Sequence, residues 1–260
     1  LECHYKNSEF ELYLQPKYDA ATLKIMGVEA LIRWNHPERG MVPPGEFIPQ
    51  LESTGLMSSV GYWIIEEGCQ IICKIQEAGL WKEGMRFSVN ISPRQLLDTK
   101  FVAGIQEILG KYSIPQHSLD FEVTESVAID NIGNAIAVMN QLLEEEISFS
   151  LDDFGTGYSS ISYLKQLPVQ NLKIDYSFIR DIVDDYSDRV LVETIMTMGQ
   201  MLGLKVVAEG VETKEQVEIL SRFSCDYYQG FYFSRPLPVS DFLEKLAEDN
   251  ADELYALTKL

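Results

Sequence analysis

Residues 10–34 read FELYLQPKYDAATLKIMGVEALIRW, and this stretch decides the fold. It holds two strand-like runs, Phe10–Pro16 and Ile25–Trp34, separated by a short polar stretch around Asp19 to Lys24. Such a short connection makes a hairpin, whose two strands are antiparallel. The pattern then changes. Gly45–Thr54 and Gly61–Ala78 read as helices, the second with an apolar stripe of Ile64, Ile65, Ile71, Ile72 and Ile75. Strand Arg86–Ile91, helix Pro93–Tyr112, strand Leu119–Thr124 and helix Ile132–Glu146 follow. Next come strand Ile147–Leu151, a short helix near Ser159–Leu167, strand Asn171–Asp175 and helix Ser187–Leu202. Strand Lys205–Glu209, helix Lys214–Phe223, strand Asp226–Gly230 and helix Ser240–Glu248 complete the chain. Eight strands alternating mostly with helices, in 260 residues, match the size of a closed (β/α)₈ barrel. The opening hairpin requires one strand to run against the others. The expected fold is therefore α/β, a modified TIM (β/α)₈ barrel with one antiparallel strand. A doubly wound open sheet is the alternative, and no GxGxxG turn supports it.

The strands carry a second signal. Successive strand residues point to opposite faces. In FSVNIS, Phe87, Val89 and Ile91 oppose Ser88, Asn90 and Ser92. In LDFEVT, Leu119, Phe121 and Val123 oppose Asp120, Glu122 and Thr124; in NLKID, Leu172 and Ile174 oppose Asn171, Lys173 and Asp175. Parallel barrel strands are normally apolar on both faces. Here the apolar face suits the helix layer, so the polar face is expected to line the barrel interior. Burying that many polar groups is costly without partners, and a functional pocket explains it.

Acidic and amide residues recur late in these strands: Glu29, Asn90, Glu122, Asp152 with Asp153, Glu209 with Glu212, and Gln229. From Asn90 to Glu209, with Lys173 included, successive members lie 20 to 36 residues apart, one per strand–helix unit. The late end of each strand is the active-site face of a barrel. Carboxylates gathered there repel one another unless a cation holds them, the usual construction of a magnesium- or manganese-type site. Asp152 and Asp153 are followed by Phe154, Gly155, Thr156 and Gly157. Adjacent acids can reach two neighbouring ions, and the glycines permit a tight loop. A plain polar turn reads equally well from that segment alone.

Composition narrows the classes. A 46% hydrophobic, 23% charged chain fits one large domain with a sizeable core. No apolar run approaches the ~20 residues that span a bilayer, and no signal segment opens the chain. The start at Leu1 rather than Met leads us to expect a piece of a longer protein. A net charge of −19 argues against non-specific binding to DNA, RNA or an anionic membrane. Cys69 and Cys73 share a helix face and lack the spacing of a zinc site, so Cys3, Cys69, Cys73 and Cys225 read as small hydrophobes in a reducing compartment. His4, His36 and His117 are scattered, so a metal here would have oxygen ligands.

At this point the motifs match a family. Glu29-Ala30-Leu31 with Arg33 comes first, followed in order by Val89-Asn90-Ile91-Ser92 and Glu122-Val123-Thr124-Glu125. Asp152 to Gly157, Leu172 to Asp175, Ala208 to Glu212 and Gln229-Gly230 complete the series. The chain resembles, nearly end to end, the EAL domain of bacterial cyclic-di-GMP phosphodiesterases. The resemblance implies a modified TIM barrel, one EAL domain over residues 1–260, and hydrolysis of cyclic di-GMP to linear pGpG. It implies two divalent cations, Mg²⁺ or Mn²⁺. Glu29, Asn90, Glu122 and Asp152 look like ligands of the first; Asp152, Asp153 and Glu209 look like ligands of the second. The implied catalytic residues are Lys173, Glu209, Glu212 and Gln229, with Lys173 holding the attacking water and Glu212 orienting that lysine. The implied substrate contacts are Gln15, Leu31, Arg33, Asp153 and Glu212. Glu125 resembles the residue that braces the loop after Asp153. Lysine among carboxylates is expected to stay protonated, so Lys173 positions hydroxide rather than removing a proton.

The resemblance also implies a homodimer formed near the loop after Asp153, a sensor or GGDEF domain elsewhere in the full-length chain, and a cytoplasmic setting. Tyr18 and Leu51 depart from the family's commoner residues, and neither touches the metal set. Two competing functions remain. One is a catalytically silent cyclic-di-GMP receptor, although such members typically lack a ligand or the lysine and this chain lacks none. The other is another metal-dependent hydrolase on a barrel; a glycosidase also presents paired carboxylates, but six acids with Asn and Lys exceed what it needs.

Overall fold

The computed structural model describes residues 9–125, 127–156 and 161–257. Among the described residues ten strands form one sheet: β1 (Phe10–Asp19), β2 (Ile25–His36), β3 (Gly40–Val42), β4 (Arg86–Asn90), β5 (Leu119–Thr124), β6 (Ser148–Phe154), β7 (Asn171–Ile174), β8 (Lys205–Ala208), β9 (Tyr227–Tyr228) and β10 (Leu237–Pro238). Neighbours run β1-β2-β4-β5-β6-β7-β8-β9, and β9 pairs back onto β1, so eight strands close a barrel. Every pairing from β2 through β9 along the barrel wall is parallel. Only β1 is antiparallel to both its barrel neighbours. The reversed strand expected from the hairpin is therefore β1.

Local chemistry sets that reversal. The Asp19 carboxylate accepts from the Ala21 and Thr22 amides and from the Thr22 hydroxyl, closing the chain on itself. Leu23 takes the left-handed conformation (φ 57°) that returns it to β2. The register then places Gln15 opposite Glu29 and Lys17 opposite Gly27. Pro16 falls between the short outer pairings of β1, with β10 at Tyr13–Leu14 and with β9 at Tyr18–Asp19. A residue with no amide proton is tolerated where a ladder is interrupted.

The helices are α1 (Pro44–Ser53), α2 (Met57–Glu77), α3 (Pro93–Leu96), α4 (Phe101–Leu109), α5 (Val127–Glu144), α6 (Ile161–Leu164), α7 (Tyr176–Arg180), α8 (Tyr186–Met201), α9 (Lys214–Arg222) and α10 (Val239–Leu257). All five isoleucines of the α2 stripe are buried. Helix α2 packs on β2 and β4, against Phe87 among others, and Phe87, Phe121, Phe149 and Leu172 are fully buried in the same core. Burying each such side chain contributes roughly 1.5–3 kcal/mol.

Several boundaries differ from the sequence expectation. The single helix expected over Pro93–Tyr112 is two. Ser92 caps α3 with a reciprocal Gln95 bond, and that helix ends at Leu97. Asp98 then restarts the chain, its carboxylate accepting from Lys100 N and its carbonyl from Phe101 N. Aspartate competes for backbone donors in this way and favours breaks over helix interiors. Helix α7 was not expected; Asp175 caps it through Ser177 N. Strand β9 is shorter than Asp226–Gly230, α5 begins before Ile132, and α10 outruns Ser240–Glu248. Cys3, His4 and Gly157 lie outside the described residues, as does the start of the Ser159–Leu167 helix. Among the described residues, no helix is long and apolar enough to cross a membrane.

Candidate active site

The polar strand face is the inner one. Lys17 on β1 bonds Ser88 on β4 (2.7 Å) and Glu122 on β5, strands that are not its neighbours, so these contacts cross the barrel interior. A layer of hydrogen bonds spreads beneath. Ser88 Oγ donates to Asp120 Oδ2 (2.9 Å), Ser150 Oγ donates to the same oxygen (2.7 Å), and Asn171 Nδ2 donates to Ser150 Oγ (2.9 Å).

Above this layer the expected residues converge on Lys173. Its ammonium lies 2.5 Å from Glu122 Oε2, 2.6 Å from Glu209 Oε1, 3.0 Å from Asp152 Oδ1 and 3.5 Å from Glu29 Oε2. Gln229 Nε2 donates to Glu29 Oε2 (2.6 Å) and to Gln15 Oε1 (3.2 Å), and Asn90 Nδ2 donates to Glu29 Oε1 (2.7 Å). Eight residues from eight strands or strand ends thus form one bonded network. A cavity of about 370 Å³ opens over it, lined by Gln15, Glu29, Asp152, Lys173, Glu209 and Gln229, with Tyr176, Glu212 and Phe231 at its sides.

The strand ends are shaped for this. Asp153 adopts the left-handed conformation (φ 53°), which for a non-glycine costs of order 1–3 kcal/mol. That turn brings the carboxylates of Asp152, Asp153 and Glu209 together, with one oxygen from each lying within 4.8 Å of the others. Glu125 Oε1 accepts from Gly155 N (2.8 Å), tying the loop after Asp153 to the end of β5. Gly230 fixes Gln229. A Cβ there would lie 2.1 Å from the Val211 carbonyl oxygen, so only glycine lets the two backbones meet.

Leu31 and Arg33 follow Glu29 on the same face of β2, and among the described hydrogen bonds and ion pairs neither joins the network. Arg33 bonds the Ile32 carbonyl (3.0 Å) and lies over the Tyr13 ring. Glu212 faces the cavity, yet among the described ion pairs Lys173 meets Glu29, Glu122, Asp152 and Glu209 rather than Glu212. Sequence reasoning missed Lys17. The signal was present, because Lys17 shares strand parity with Gln15 and so had to point inward as well. Phe231, with Arg235 4.2 Å over its ring, and Tyr176 were also missed as cavity walls.

Electrostatics follow from burial and crowding. Burial alone would push the Lys173 ammonium down; Asp152, Glu122, Glu209 and Glu29 outweigh it and hold its pKa well above the usual lysine value. Burial pushes the Glu122 carboxyl up, but Lys17 and Lys173 on either side bring it down to about 2. Glu209 is raised to about 8, by burial first and then by its acidic neighbours, against the pull of Lys173. Glu29 and Asp153 are raised as well, burial again leading.

The donor set suits a hard cation. Carboxylate and amide oxygens with no thiol or imidazole are the ligands of magnesium and manganese rather than zinc. Buried acids whose pKa values are raised by burial and by one another would be relieved by a cation. Gln229 Oε1 is a further buried acceptor with no partner among the described residues.

An acid-lined barrel mouth around a buried lysine places the chain among barrels that present oxygen ligands for divalent cations. Within that class the chain belongs to the EAL domain family, whose profile matches residues 2–236. It is 41% identical over 246 residues to the signaling protein YkoW of Bacillus subtilis, covering 94% of this chain and 30% of that protein. It is 40% identical over 240 residues to MucR of Pseudomonas aeruginosa, a bifunctional diguanylate cyclase/cyclic di-GMP phosphodiesterase, covering 91% of this chain and 34% of MucR. The chain thus spans about a third of the length of these curated relatives. A solved structure described as the PaMucR phosphodiesterase in complex with c-di-GMP superposes with a TM-score of 0.88 at 38% identity, covering 93% of this chain and 97% of that one.

Proposed function

We propose that this domain hydrolyses cyclic di-GMP to linear pGpG with two divalent cations, Mg²⁺ or Mn²⁺. The observation that carries the reading is the single network joining Lys173 to Glu29, Glu122, Asp152 and Glu209 at the mouth of the barrel. The c-di-GMP named for the matching MucR structure supports the substrate. Glu29, Asn90, Glu122 and Asp152 would hold one cation, and Asp152, Asp153 and Glu209 the other. Bound there, the pair would lower the pKa of a water and neutralise charge on the phosphodiester.

The chain's own residues have separate tasks. Lys173, kept protonated by four carboxylates, holds the attacking oxygen in line and stabilises its negative charge. Glu209 faces Lys173 from the end of β8 and sets its height in the cavity. Gln229 offers its unused Oε1 to the water and fixes Glu29 through Nε2. Glu212 stands at the cavity wall to orient Lys173 once the acids turn to cations. Gln15, Leu31, Arg33, Asp153 and Glu212 are assigned to substrate, and Glu125 holds the loop that presents Asp153. In the same reading, residues 1–260 are one catalytic domain, itself cytoplasmic, of a larger signalling protein, acting as a homodimer beside a regulatory or GGDEF domain. The net charge of −19 is then no obstacle to an anionic substrate, because the cations meet its phosphates.

The test is conversion of cyclic di-GMP to pGpG with Mg²⁺ or Mn²⁺, and its loss in EDTA. Binding of cyclic di-GMP without metal-dependent pGpG would make the domain a catalytically silent receptor.

A pH dependence follows. Glu209 is raised by burial to about 8, above the value of ~4.3 it has in the unfolded chain. The stability this contributes is full below ~4.3 and is lost as pH rises through about 8. Glu122, held at about 2, contributes stability that is lost only as pH falls below ~4.3 toward about 2, outside that window. A cation must displace the Glu209 proton at low pH and not at high pH. The rise in melting temperature on adding Mg²⁺ is therefore expected to be several degrees larger at about pH 8.5 than at about pH 6. Equal shifts at both would mean that Glu209 exchanges no proton for metal.

A further inference from the structure

The structure places a second lysine against Glu122, in a role the proposed reaction does not use. Lys17 is 7% exposed and sits one layer below the cavity floor. Its ammonium takes Glu122 Oε1, while Lys173 takes Oε2 at 2.5 Å. Two features build the contact. Gly27 lies directly across the hairpin, and the lysine stem runs alongside it. A Cβ there would lie 3.5 Å from Lys17 Cβ, 3.7 Å from its Cδ and 3.3 Å from the Arg86 carbonyl. Ser88 Oγ then accepts from the same ammonium at 2.7 Å, and itself donates to Asp120, so Lys17 is anchored from below.

This geometry constrains what Glu122 can offer. A carboxylate can bind a cation through one oxygen or both. Calcium accepts six to eight oxygens and readily takes both from one carboxylate, whereas magnesium demands near-octahedral geometry and takes one. With Oε1 committed to Lys17 from below, the oxygen Glu122 can turn to a cation is Oε2, which it now shares with Lys173 at the cavity side. Resting on the cation site proposed above, we propose that Lys17 is a positioning residue that makes Glu122 a one-oxygen ligand and biases the barrel mouth toward small six-coordinate cations over calcium.

The experiment is calorimetric titration of the full chain with Mn²⁺ and with Ca²⁺, without nucleotide, in the unchanged protein and in Lys17→Met. Methionine fills the stem's volume, Glu122 keeps Lys173, and Asp120 keeps its bonds from Ser88 and Ser150. Mn²⁺ affinity is expected to fall roughly tenfold, as for loss of other groups that orient a metal ligand. Ca²⁺ affinity falls less or rises, moving the Ca²⁺-to-Mn²⁺ ratio at least about fivefold toward Ca²⁺. Ser88→Ala, which frees the ammonium from its anchor without touching the carboxylate, moves the ratio the same way by less. Lys17→Arg restores it to within about twofold of the unchanged chain. A merely structural lysine would alter melting temperature and leave the ratio where it was. If both Lys17→Met and Ser88→Ala keep the ratio of an unchanged chain that binds Mn²⁺, the role given to Lys17 is wrong. If the unchanged chain binds no Mn²⁺, the cation site fails first, and this inference with it.

Discussion

Lys173→Met is expected to reduce cyclic-di-GMP turnover by at least about 10²–10³-fold, the loss typical of removing one preorganised donor from a developing negative charge. It also destabilises the metal-free protein. Lys173 is 1% exposed and is the shared counter-charge of Glu29, Glu122, Asp152 and Glu209. Removing one partner of a buried ion pair costs ~3–5 kcal/mol, because the remaining charges lose their compensation. Some acids will take up protons instead, so the lower end of that range applies. For a domain of this size about 3 kcal/mol corresponds to a fall of roughly 6–12 °C in melting temperature. Divalent cations supply positive charge to the same carboxylates, so Mg²⁺ should restore most of the loss. The variant would then be a folded, metal-loaded and inactive protein. Thermal melts with and without Mg²⁺, beside pGpG chromatography, separate these effects. Near-normal turnover in the metal-loaded variant would remove Lys173 from the chemistry.

Why this site could be read from sequence, and where the reading stopped, comes down to periodicity. Strand parity is strict, so Asn90, Glu122 and Lys173 had to face inward once their apolar neighbours Val89, Val123 and Leu172 were given to the helix layer. The reversed strand was legible because Asp19 to Lys24 is too short for anything but a hairpin. What parity does not carry is depth. Lys17 and Gln15 point the same way from β1, but only the barrel's closure shows Gln15 at the mouth and Lys17 a layer below, against Glu122. Helix breaks were lost for a different reason. Pro93 to Tyr112 keeps an apolar period throughout, and the interruption at Asp98 depends on a side-chain bond to Lys100 N that competes locally with the helix. The position of Glu212 relative to Lys173 depends on the turn after β8, which has no period at all.

Glu122→Leu is expected to be the most damaging single change at the site, and metal should not repair it. Glu122 alone separates two ammonium groups, each hydrogen-bonded to one of its oxygens, and its side chain is fully buried. With leucine there, Lys173 retains Asp152, Glu209 and Glu29, but Lys17 keeps only Ser88 as a bonded partner and faces Lys173 across an apolar side chain. An uncompensated buried charge costs ~3–5 kcal/mol, roughly 6–20 °C of melting temperature in a domain of this size. Here the group left without a direct ion-pair partner is a cation, Lys17, whereas in Lys173→Met it is a set of carboxylates. A divalent cation has lost a ligand and must enter beside two ammonium groups, so Mg²⁺ should raise the melting temperature little or not at all. Removing the lysine too should help. Replacing a whole buried ion pair by apolar groups is often close to neutral, so Lys17→Met in the Glu122→Leu background should recover more than half of the lost stability while activity stays absent. The three melts together read whether Lys17 depends on Glu122 for its counter-charge. Recovery of Glu122→Leu by Mg²⁺, or none from the second substitution, would show that Lys17 is not held in place by Glu122.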